Sequence, residues 1–272
     1  MIPMRIDFHT HIFPERIAEK TISLLAQKAG IPPHSDGTAD GLLSKMKEAE
    51  IDLSVALPVL TSPSQFESVN RFAASVNERF QGAARRILSF AGIHPACEDI
   101  AGKMRWIKDA GFLGVKIHPD YQGAFINDPA YVEIVRCAAA LDLIVVTHAG
   151  VDFGFRDQPV RCTPALALEL IRKAPHKKLV LAHLGGSELP KQVIEHLAGQ
   201  DVYFDTSFVL KHTEKSDFLS ILEKHGEDKL LFATDSPWSD AKEDLRILSS
   251  YCLSKETEDK ILYKNAKKLL GL

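Results

Sequence analysis

The chain has 272 residues, of which 45% are hydrophobic and 25% charged, and its formal net charge is −3. This composition is that of an ordinary globular protein. The balanced charge gives no reason to expect a nucleic-acid or membrane-surface partner, so the expected partner is a small molecule. No apolar run approaches the ~20 residues of a membrane span. The four cysteines are scattered and no secretory leader opens the sequence, so we expect free thiols and a cytoplasmic location.

Short apolar runs alternate with longer segments of helical spacing along the whole chain. The runs, taken as eight strands, are RIDFHTHI, DLSVALPV, ILSFAGIHP, GVKIHP, LIVVTHAG, LVLAHLGG, VYFDTS and LLFATDSPW. Segments such as FESVNRFAASVNERFQ, PAYVEIVRCAAALD, TPALALELIRKAP and DFLSILEKHG are predicted helices, two of them with N-terminal caps at Asp128 and Thr163. Alternating units of this kind predict parallel strands in an α/β fold, either a closed barrel or an open doubly wound sheet. The length favours a (β/α)8 TIM barrel forming a single domain over residues 1–272, because about 250 residues is typical of that fold.

Two further segments are assigned from their composition and position. The Gly- and Pro-rich stretch AGIPPHSDGTADG (29–41) is predicted to be a loop over the barrel mouth. The stretch KETEDKILYKNAKKLLGL, which follows Ser254, is predicted to be a closing helix.

The first predicted strand carries two histidines, His9 and His11, separated by one threonine. Alternate residues of a strand point to the same face, and their Cα atoms lie about 6.6 Å apart. Both imidazoles can therefore reach one ion, for which zinc–nitrogen bonds are about 2.0–2.1 Å. The same alternation predicts that Asp7 shares this face.

Other polar residues recur near the C-terminal ends of later strands. They are His94 in the third run, Lys116 and His118 in the fourth, His148 in the fifth, His183 in the sixth and Asp235 in the eighth. In a barrel these strand ends form one rim, where active sites are built. Burying several imidazoles and a carboxylate without partners is costly. A shared divalent cation would satisfy them together.

These motifs resemble the amidohydrolase superfamily, in particular the amidohydrolase-2 branch that contains amino-carboxymuconate-semialdehyde decarboxylase. The resemblance rests on IDFHTH, GVKIHPDYQG, VVTHAG, LAHLGG, ATDSPW and the terminal YKNAKKLLGL, and it covers essentially the whole chain. It implies one divalent metal ion, zinc first and manganese or another ion as the alternative. The implied metal ligands are His9, His11, His148 and Asp235. A second metal bridged by a carboxylated Lys116 is the less favoured arrangement.

The resemblance also implies catalytic roles. Asp235 would accept a proton from a metal-bound water, and His183 would act as a base, as an electrostatic anchor or as a ligand of a second metal. Hydrolysis of a small ester, lactone or amide is the leading interpretation. Non-oxidative decarboxylation of a small carboxylic acid, aromatic acids included, uses the same groups and is the alternative. A TatD-like nuclease and a non-catalytic metal-binding barrel stay as lesser alternatives.

The basic and aromatic residues near the rim predict the substrate contacts. They are Lys116, His118, Arg156 and Trp238. Because three of these carry or can gain positive charge, the expected substrate is a small, anionic molecule. A homodimer is compatible with the sequence, which gives no direct sign of the oligomeric state.

Overall fold

The apolar runs of the sequence form the parallel strands of a closed barrel. The computed structural model describes residues 4–272, which contain strands β1 Ile6–Thr10, β2 Leu53–Ala56, β3 Arg86–Ser89, β4 Ala91–Gly92, β5 Gly114–Ile117, β6 Ile144–Thr147, β7 Leu179–Leu181, β8 Tyr203–Asp205 and β9 Leu230–Leu231. The segments β3 and β4 are the two parts of one barrel strand, interrupted at Phe90. They occupy one of eight barrel positions, as the sequence predicts.

The strands pair in parallel and in chain order, β1 to β3 in one ladder and β4 to β9 in another. The two ladders join at the interruption, where Phe90 N donates to Ala56 O at 2.9 Å. They join again at the opposite seam, where Phe8 N donates to Phe232 O at 2.9 Å and Asp235 N donates to His9 O at 2.8 Å. The sheet is therefore closed, and the prediction of a (β/α)8 barrel rather than an open sheet is confirmed.

Helices connect the strands and cover the outside of the barrel. Their bounds are α1 Glu15–Ala29, α2 Ala39–Ala49, α3 Phe66–Arg79, α4 Ile100–Asp109, α5 Pro119–Gln122, α6 Pro129–Ala140, α7 Pro164–Lys173, α8 Pro190–Gln192, α9 Lys215–His225, α10 Ala241–Ser250, α11 Lys255–Asp259 and α12 Asn265–Leu270. The Thr163 side chain accepts from Leu166 N and caps α7, as predicted. Asp128 makes no such bond to α6; its carboxylate accepts from Phe125 N instead. Over residues 4–272, no helix combines the length and apolar character needed to cross a bilayer.

The two segments assigned by composition lie at opposite parts of the barrel. The loop between α1 and α2 meets the turn after β9, where His34 N donates to Pro237 O at 2.7 Å. This contact places the loop beside the mouth, as predicted.

The C-terminal segment is helical through α11, a π-helical turn at Lys260–Lys264, and α12. From α12, Ala266 and Leu269 pack into the inner apolar cluster of the barrel.

A β-bulge in β1 corrects the prediction that Asp7 shares a face with His9. Asp7 pairs with Ser54 and Thr10 pairs with Ala56, so two residues of β1 stand opposite one residue of β2. The extra residue turns His9 into the barrel, while Asp7 faces outward. There the Asp7 carboxylate accepts from Thr234 N at 3.0 Å and from Thr234 Oγ1 at 2.6 Å. Asp7 therefore ties the two edges of the closing seam together and takes no part in the inner site.

A second outward carboxyl group, that of Asp244 in α10, is buried without a compensating partner. Asp244 is 2% exposed, and its Oδ2 has no hydrogen-bond partner within residues 4–272. Burial raises the pKa of the Asp244 carboxyl to about 8, and the neighbouring Asp7 adds to the rise. The folded protein therefore keeps a proton on Asp244 that the unfolded chain, with an aspartate pKa near 3.9, has already released at neutral pH.

We expect Asp244→Asn to become more stable relative to the wild type as the pH rises from about 5 to about 7. Between the unfolded and folded pKa values, wild-type folding takes up a proton and so loses stability with rising pH, by up to about 1.4 kcal/mol per pH unit. The asparagine side chain does not titrate. Urea unfolding at several pH values measures the difference, with the exposed Asp109→Asn as the matched control. A stability difference that stays constant with pH would contradict the assignment.

Candidate metal centre

A cavity of about 440 Å³ opens at the C-terminal ends of the barrel strands. Its wall is mostly apolar and aromatic, with contributions from Phe13 and Ile17 near the start of the chain and from Phe208 and Trp238 near its end. The histidine, lysine and aspartate side chains of the lining lie together at the floor of the cavity; they are His9, His11, Lys116, His118, His148, Asp152, His183 and Asp235. The chemistry of this site is therefore concentrated where the strands end.

Three of the four predicted metal ligands lie together at the floor. Asp235 Oδ1 is 3.3 Å from His9 Nε2 and 3.0 Å from His11 Nε2. One ligand atom from each of the three residues lies within 4.8 Å of the others. Two imidazole nitrogens and a carboxylate oxygen are a ligand set that divalent metals such as zinc accept.

The hydrogen bonds behind the two histidines fix their tautomers. His9 Nδ1 donates to Asp205 Oδ2 at 2.9 Å, and His11 Nδ1 donates to Leu57 O at 2.8 Å. Each acceptor is an oxygen without a proton, so each ring, when neutral, has its hydrogen on Nδ1 and a lone pair on Nε2. Both lone pairs face Asp235 Oδ1. A cation between these three acceptor atoms turns a repulsive arrangement into an attractive one, and the residues present therefore fit a metal ion.

The protonation states also suit metal binding. Burial lowers the pKa of His9 to about 4, and Lys116 adds to the decrease. For Asp235, burial acts to raise the pKa, but His9 and His11 outweigh it and hold that pKa well below its ordinary value. His9 is thus neutral and Asp235 ionised at neutral pH, which are the states that coordinate a metal.

Asp205 connects His9, a predicted metal ligand, to the end of a neighbouring strand and was not identified from the sequence. Its Oδ2 accepts from His9 Nδ1, and its Oδ1 accepts from the backbone N of His183 at 3.0 Å. Burial acts to raise the pKa of Asp205, but His9 outweighs it and the net pKa is lowered to about 2. The signal in the sequence was an aspartate ending a buried strand, VYFDTS, in the same position as Asp235 in its own strand.

Lys116 lies against the proposed ligands. Its Nζ is 3.0 Å from His9 Nε2, and the residue is 1% exposed. Burial lowers the pKa of Lys116 to about 8. Its ammonium therefore occupies, in part, the position where a cation would meet the His9 lone pair.

His183 and His148 form a second pair beside this cluster. His183 Nδ1 lies 2.9 Å from Ser207 O, and His183 Nε2 lies 2.9 Å from His148 Nδ1. The ring centroid of His183 is 5.5 Å from that of His9. Burial, with the neighbouring His118 and His183, holds the pKa of His148 well below its ordinary value. The structure thus brings His148 next to the cluster but not into the three-residue group.

A second set of groups, His118, His148 and Asp152, also has ligand atoms within 4.8 Å of one another. The rings of His118 and His148 are stacked, with centroids 4.4 Å apart and planes at 11°. An imidazole binds a metal in the plane of its ring, and one ion cannot lie in the planes of two stacked rings. This set is therefore a polar wall of the cavity rather than a second chelating site.

The sequence matches the family model described as Amidohydrolase over residues 6–272. The chain belongs to this family. The predicted resemblance to the amidohydrolase superfamily, and with it the prediction of an enzyme, is confirmed. No curated protein matches the sequence of this amidohydrolase.

Solved structures share the fold of this amidohydrolase over almost its whole length. A dihydroxybenzoic acid decarboxylase from Polaromonas sp. JS666, with bound manganese and the inhibitor 2-nitroresorcinol, is 17% identical with a TM-score of 0.74, covering 100% of this chain and 98% of its own. A 2,6-dihydroxybenzoate decarboxylase from Rhizobium is 17% identical with a TM-score of 0.73, covering 99% of each chain. A probable 2-pyrone-4,6-dicarboxylic acid hydrolase from Acinetobacter baumannii, with citric acid bound, is 18% identical with a TM-score of 0.68. The match covers 98% of this chain and 99% of the hydrolase.

Several strand-end residues of this amidohydrolase have left-handed backbone conformations. The φ angles are +59° at His183, +64° at Phe208 and +65° at Asp235. Such angles cost a non-glycine residue about 1–3 kcal/mol and are retained where the surroundings enforce them, frequently at functional sites. At Asp235 the conformation aims the carboxylate at the two β1 histidines.

The structure distinguishes among the four predicted substrate contacts. Lys116, His118 and Trp238 line the cavity. Arg156 is not part of the lining: it forms a bidentate ion pair with Glu188, at 2.6 and 3.0 Å. Arg16 of α1 lines the cavity instead. Arg16 was not identified from the sequence, because the pattern of that segment does not show that its helix borders the cavity.

We expect Asp205→Asn to weaken binding of a divalent metal about 10- to 100-fold, the usual effect of removing the partner that orients a ligating histidine. The amide no longer supplies the charge that holds the His9 hydrogen on Nδ1. Titration of metal-free protein with Mn²⁺ measures the dissociation constant. Asp157→Asn, at an exposed loop position, is the matched control. Affinity within twofold of wild type would show that Asp205 does not support the metal ligands.

Proposed function

We propose that this protein is a metal-dependent hydrolase of small carboxylic acids that contain an ester, lactone or amide bond. The observation that carries the proposal is the meeting of an ionised Asp235 with the Nε2 atoms of two imidazoles, one of them the neutral His9, at the floor of the cavity. We propose His9, His11 and Asp235 as metal ligands, with His148 as the fourth. Zinc suits this mixed nitrogen and oxygen set, and manganese, present in the related decarboxylase, is the alternative.

A divalent ion at this position would lower the pKa of its bound water from 15.7 toward about 7 and polarise an oxygen atom of the substrate. Asp235 is the acceptor for the proton of the attacking water, because its carboxylate is ionised and at the floor of the cavity. The same carboxyl group then donates that proton to the leaving atom. His183, whose Nδ1 donates to Ser207 O, presents Nε2 to the cavity as a second polar group near the reacting bond.

The cavity wall supports a small, partly apolar substrate with one anionic group. Phe13, Phe208 and Trp238 provide flat apolar surface. Arg16 lies at an exposed position on α1 and has no ion-pair partner within residues 4–272. We propose that its guanidinium binds the substrate carboxylate, while the bond to be cleaved lies at the floor.

Non-oxidative decarboxylation is the second candidate. It is favoured by the two structural relatives whose names describe decarboxylases of dihydroxybenzoate and by the aromatic side chains of the cavity wall. In that reaction the carboxylate would lie at the floor and leave as carbon dioxide, and Asp235 would take a proton from water and pass it to the ring carbon that the carboxylate leaves. The mostly apolar wall of the cavity gives no support to a nuclease.

The two candidates differ in their products. A panel of carboxylated lactones, esters and hydroxybenzoates, supplied to zinc- or manganese-loaded protein, is assayed for acid release and for carbon dioxide. Acid release without carbon dioxide supports hydrolysis; carbon dioxide supports decarboxylation. Turnover of neither class by protein that holds its metal would leave the non-catalytic barrel as the better account.

We expect Asp235→Asn to lower kcat on any accepted substrate by at least about 100-fold, because the amide cannot accept the proton. The fold should persist, as judged by circular dichroism and thermal unfolding. Asp157→Asn provides the control for loss of one carboxylate. A kcat within tenfold of wild type would contradict the role of Asp235 in proton transfer.

We expect Arg16→Gln to raise KM for carboxylated substrates about 10- to 100-fold, which corresponds to the loss of one charge-assisted hydrogen bond, and to leave kcat nearly unchanged. The methyl ester of the same carboxylate should show no such change. Lys20→Gln, four residues further along α1 and also exposed, is the matched control. Equal effects of both substitutions would assign the change to general charge rather than to contact with the substrate.

A further inference from the structure

The cavity extends beyond its polar floor, along helix α1. Ile17, Thr21, Leu25 and Ala29 of that helix all line it. Residues spaced four apart form one ridge on the surface of a helix. The first and last of these four are separated by twelve residues, which is about 18 Å along the helix axis. The cavity therefore follows α1 for most of its 15 residues.

The first half of α3 provides a second wall of the same cavity. Ser68, Val69 and Phe72 line it, and they lie on one face of α3 because residues three and four apart are neighbours on a helix. The part of the cavity between the two helices, the α1/α3 cleft, is lined by Ile17, Thr21, Leu25, Ala29, Val69 and Phe72.

Contacts at the C-terminal end of α1 close the cleft there. Lys28 Nζ lies 3.2 Å from the ring centroid of Phe155 and 4.9 Å from that of Tyr121, so the end of the helix is held against the segments that follow β5 and β6. The solvent-exposed members of the lining mark where the cavity opens; they are Arg16, Ile17, Thr61 and Ser68. The opening therefore lies between the start of α1 and the start of α3.

The surface of the cleft suits a hydrocarbon ligand. None of its six residues carries a charge, and Ile17 is 42% exposed. The charged side chains of the cavity lie instead at the floor or, for Arg16, at the opening. Apolar surface in a concave site gains free energy when an apolar group covers it. A substrate that consisted of one ring at the floor would leave most of a wall about 18 Å long uncovered.

We propose that the substrate carries an extended apolar arm, an unbranched alkyl or acyl chain, which lies in the α1/α3 cleft while the reacting bond lies at the floor. The substrate class is then carboxylic acids and their esters with an arm of several methylene groups. The reacting bond rests on the proposed function. Binding of the arm does not, because it requires only the cleft.

The test is calorimetric titration of the protein, with and without Mn²⁺, with butanoate, hexanoate and octanoate. The carboxylate is the same in each, so differences within the series measure the arm alone. We expect the dissociation constant to fall about 10-fold for each added pair of methylene groups, as full burial of the chain implies. Equal affinity for the three acids would overturn the proposal.

A blocked cleft shows where the arm binds. In Thr21→Phe the larger side chain fills the middle of the cleft, so we expect the gain from butanoate to octanoate to be lost. Ser23→Phe, at an exposed position on α1 outside the cavity lining, is the matched control and should keep that gain. Retention of the full gain in folded Thr21→Phe, or its equal loss in both variants, would contradict binding in the cleft.

A milder pair of variants decides the question if Thr21→Phe does not fold. Ile17→Asn replaces an exposed apolar side chain of the cleft, and Leu24→Asn replaces one that is 56% exposed and outside the lining. We expect Ile17→Asn to weaken octanoate binding about fivefold and Leu24→Asn to leave it unchanged. Equal affinity of both variants and the wild type would reject the cleft.

Turnover separates this proposal from the proposed function. Zinc- or manganese-loaded protein is assayed with phenyl esters of acetate, hexanoate and octanoate and with hydroxybenzoates that carry alkyl chains of the same lengths. Chain-length-dependent binding without turnover keeps the cleft as an apolar site and rejects the reaction. Turnover with a KM that does not depend on chain length rejects the arm and keeps the reaction.

Discussion

The site depends on one electrostatic arrangement: two imidazole lone pairs and one carboxylate oxygen converge at the floor of a largely apolar cavity. When both rings are neutral and no cation lies between them, His9 Nε2 and His11 Nε2 repel Asp235 Oδ1, which lies 3.3 and 3.0 Å from them. The hydrogen bonds of the two Nδ1 atoms prevent the rings from relieving this repulsion by changing tautomer. The fold therefore provides a binding site for positive charge, and the Lys116 ammonium occupies part of it.

The backbone supplies the geometry of this arrangement at some cost in stability. The bulge in β1 turns His9 inward beside His11, and the left-handed conformation of Asp235 aims its carboxylate at both. Asp7, turned outward by the same bulge, bonds to Thr234 across the closing seam. One irregularity in one strand thus serves both the closure of the barrel and the alignment of the site, which explains why polar and strained residues are concentrated there.

The sequence predicted the barrel and the rim because both follow from local patterns. Eight apolar runs identify the strands, and the positions of His148, His183 and Asp235 at run ends place them on one rim. The prediction that Asp7 shares a face with His9 was wrong. The bulge that separates them arises from pairing with β2, so the sequence of β1 alone does not reveal it. The position of Arg16 in the cavity wall, the pairing of Arg156 with Glu188 and the contact of Asp205 with His9 depend on segments distant along the chain, which periodicity does not bring together.

The most direct test of the account is an anomalous-difference map from crystals of the protein loaded with zinc or manganese. The account predicts one strong peak within about 2.0–2.3 Å of His9 Nε2, His11 Nε2 and an Asp235 carboxylate oxygen. A peak at His118, His148 and Asp152 with none at the first position, in crystals shown to contain the metal, would contradict it.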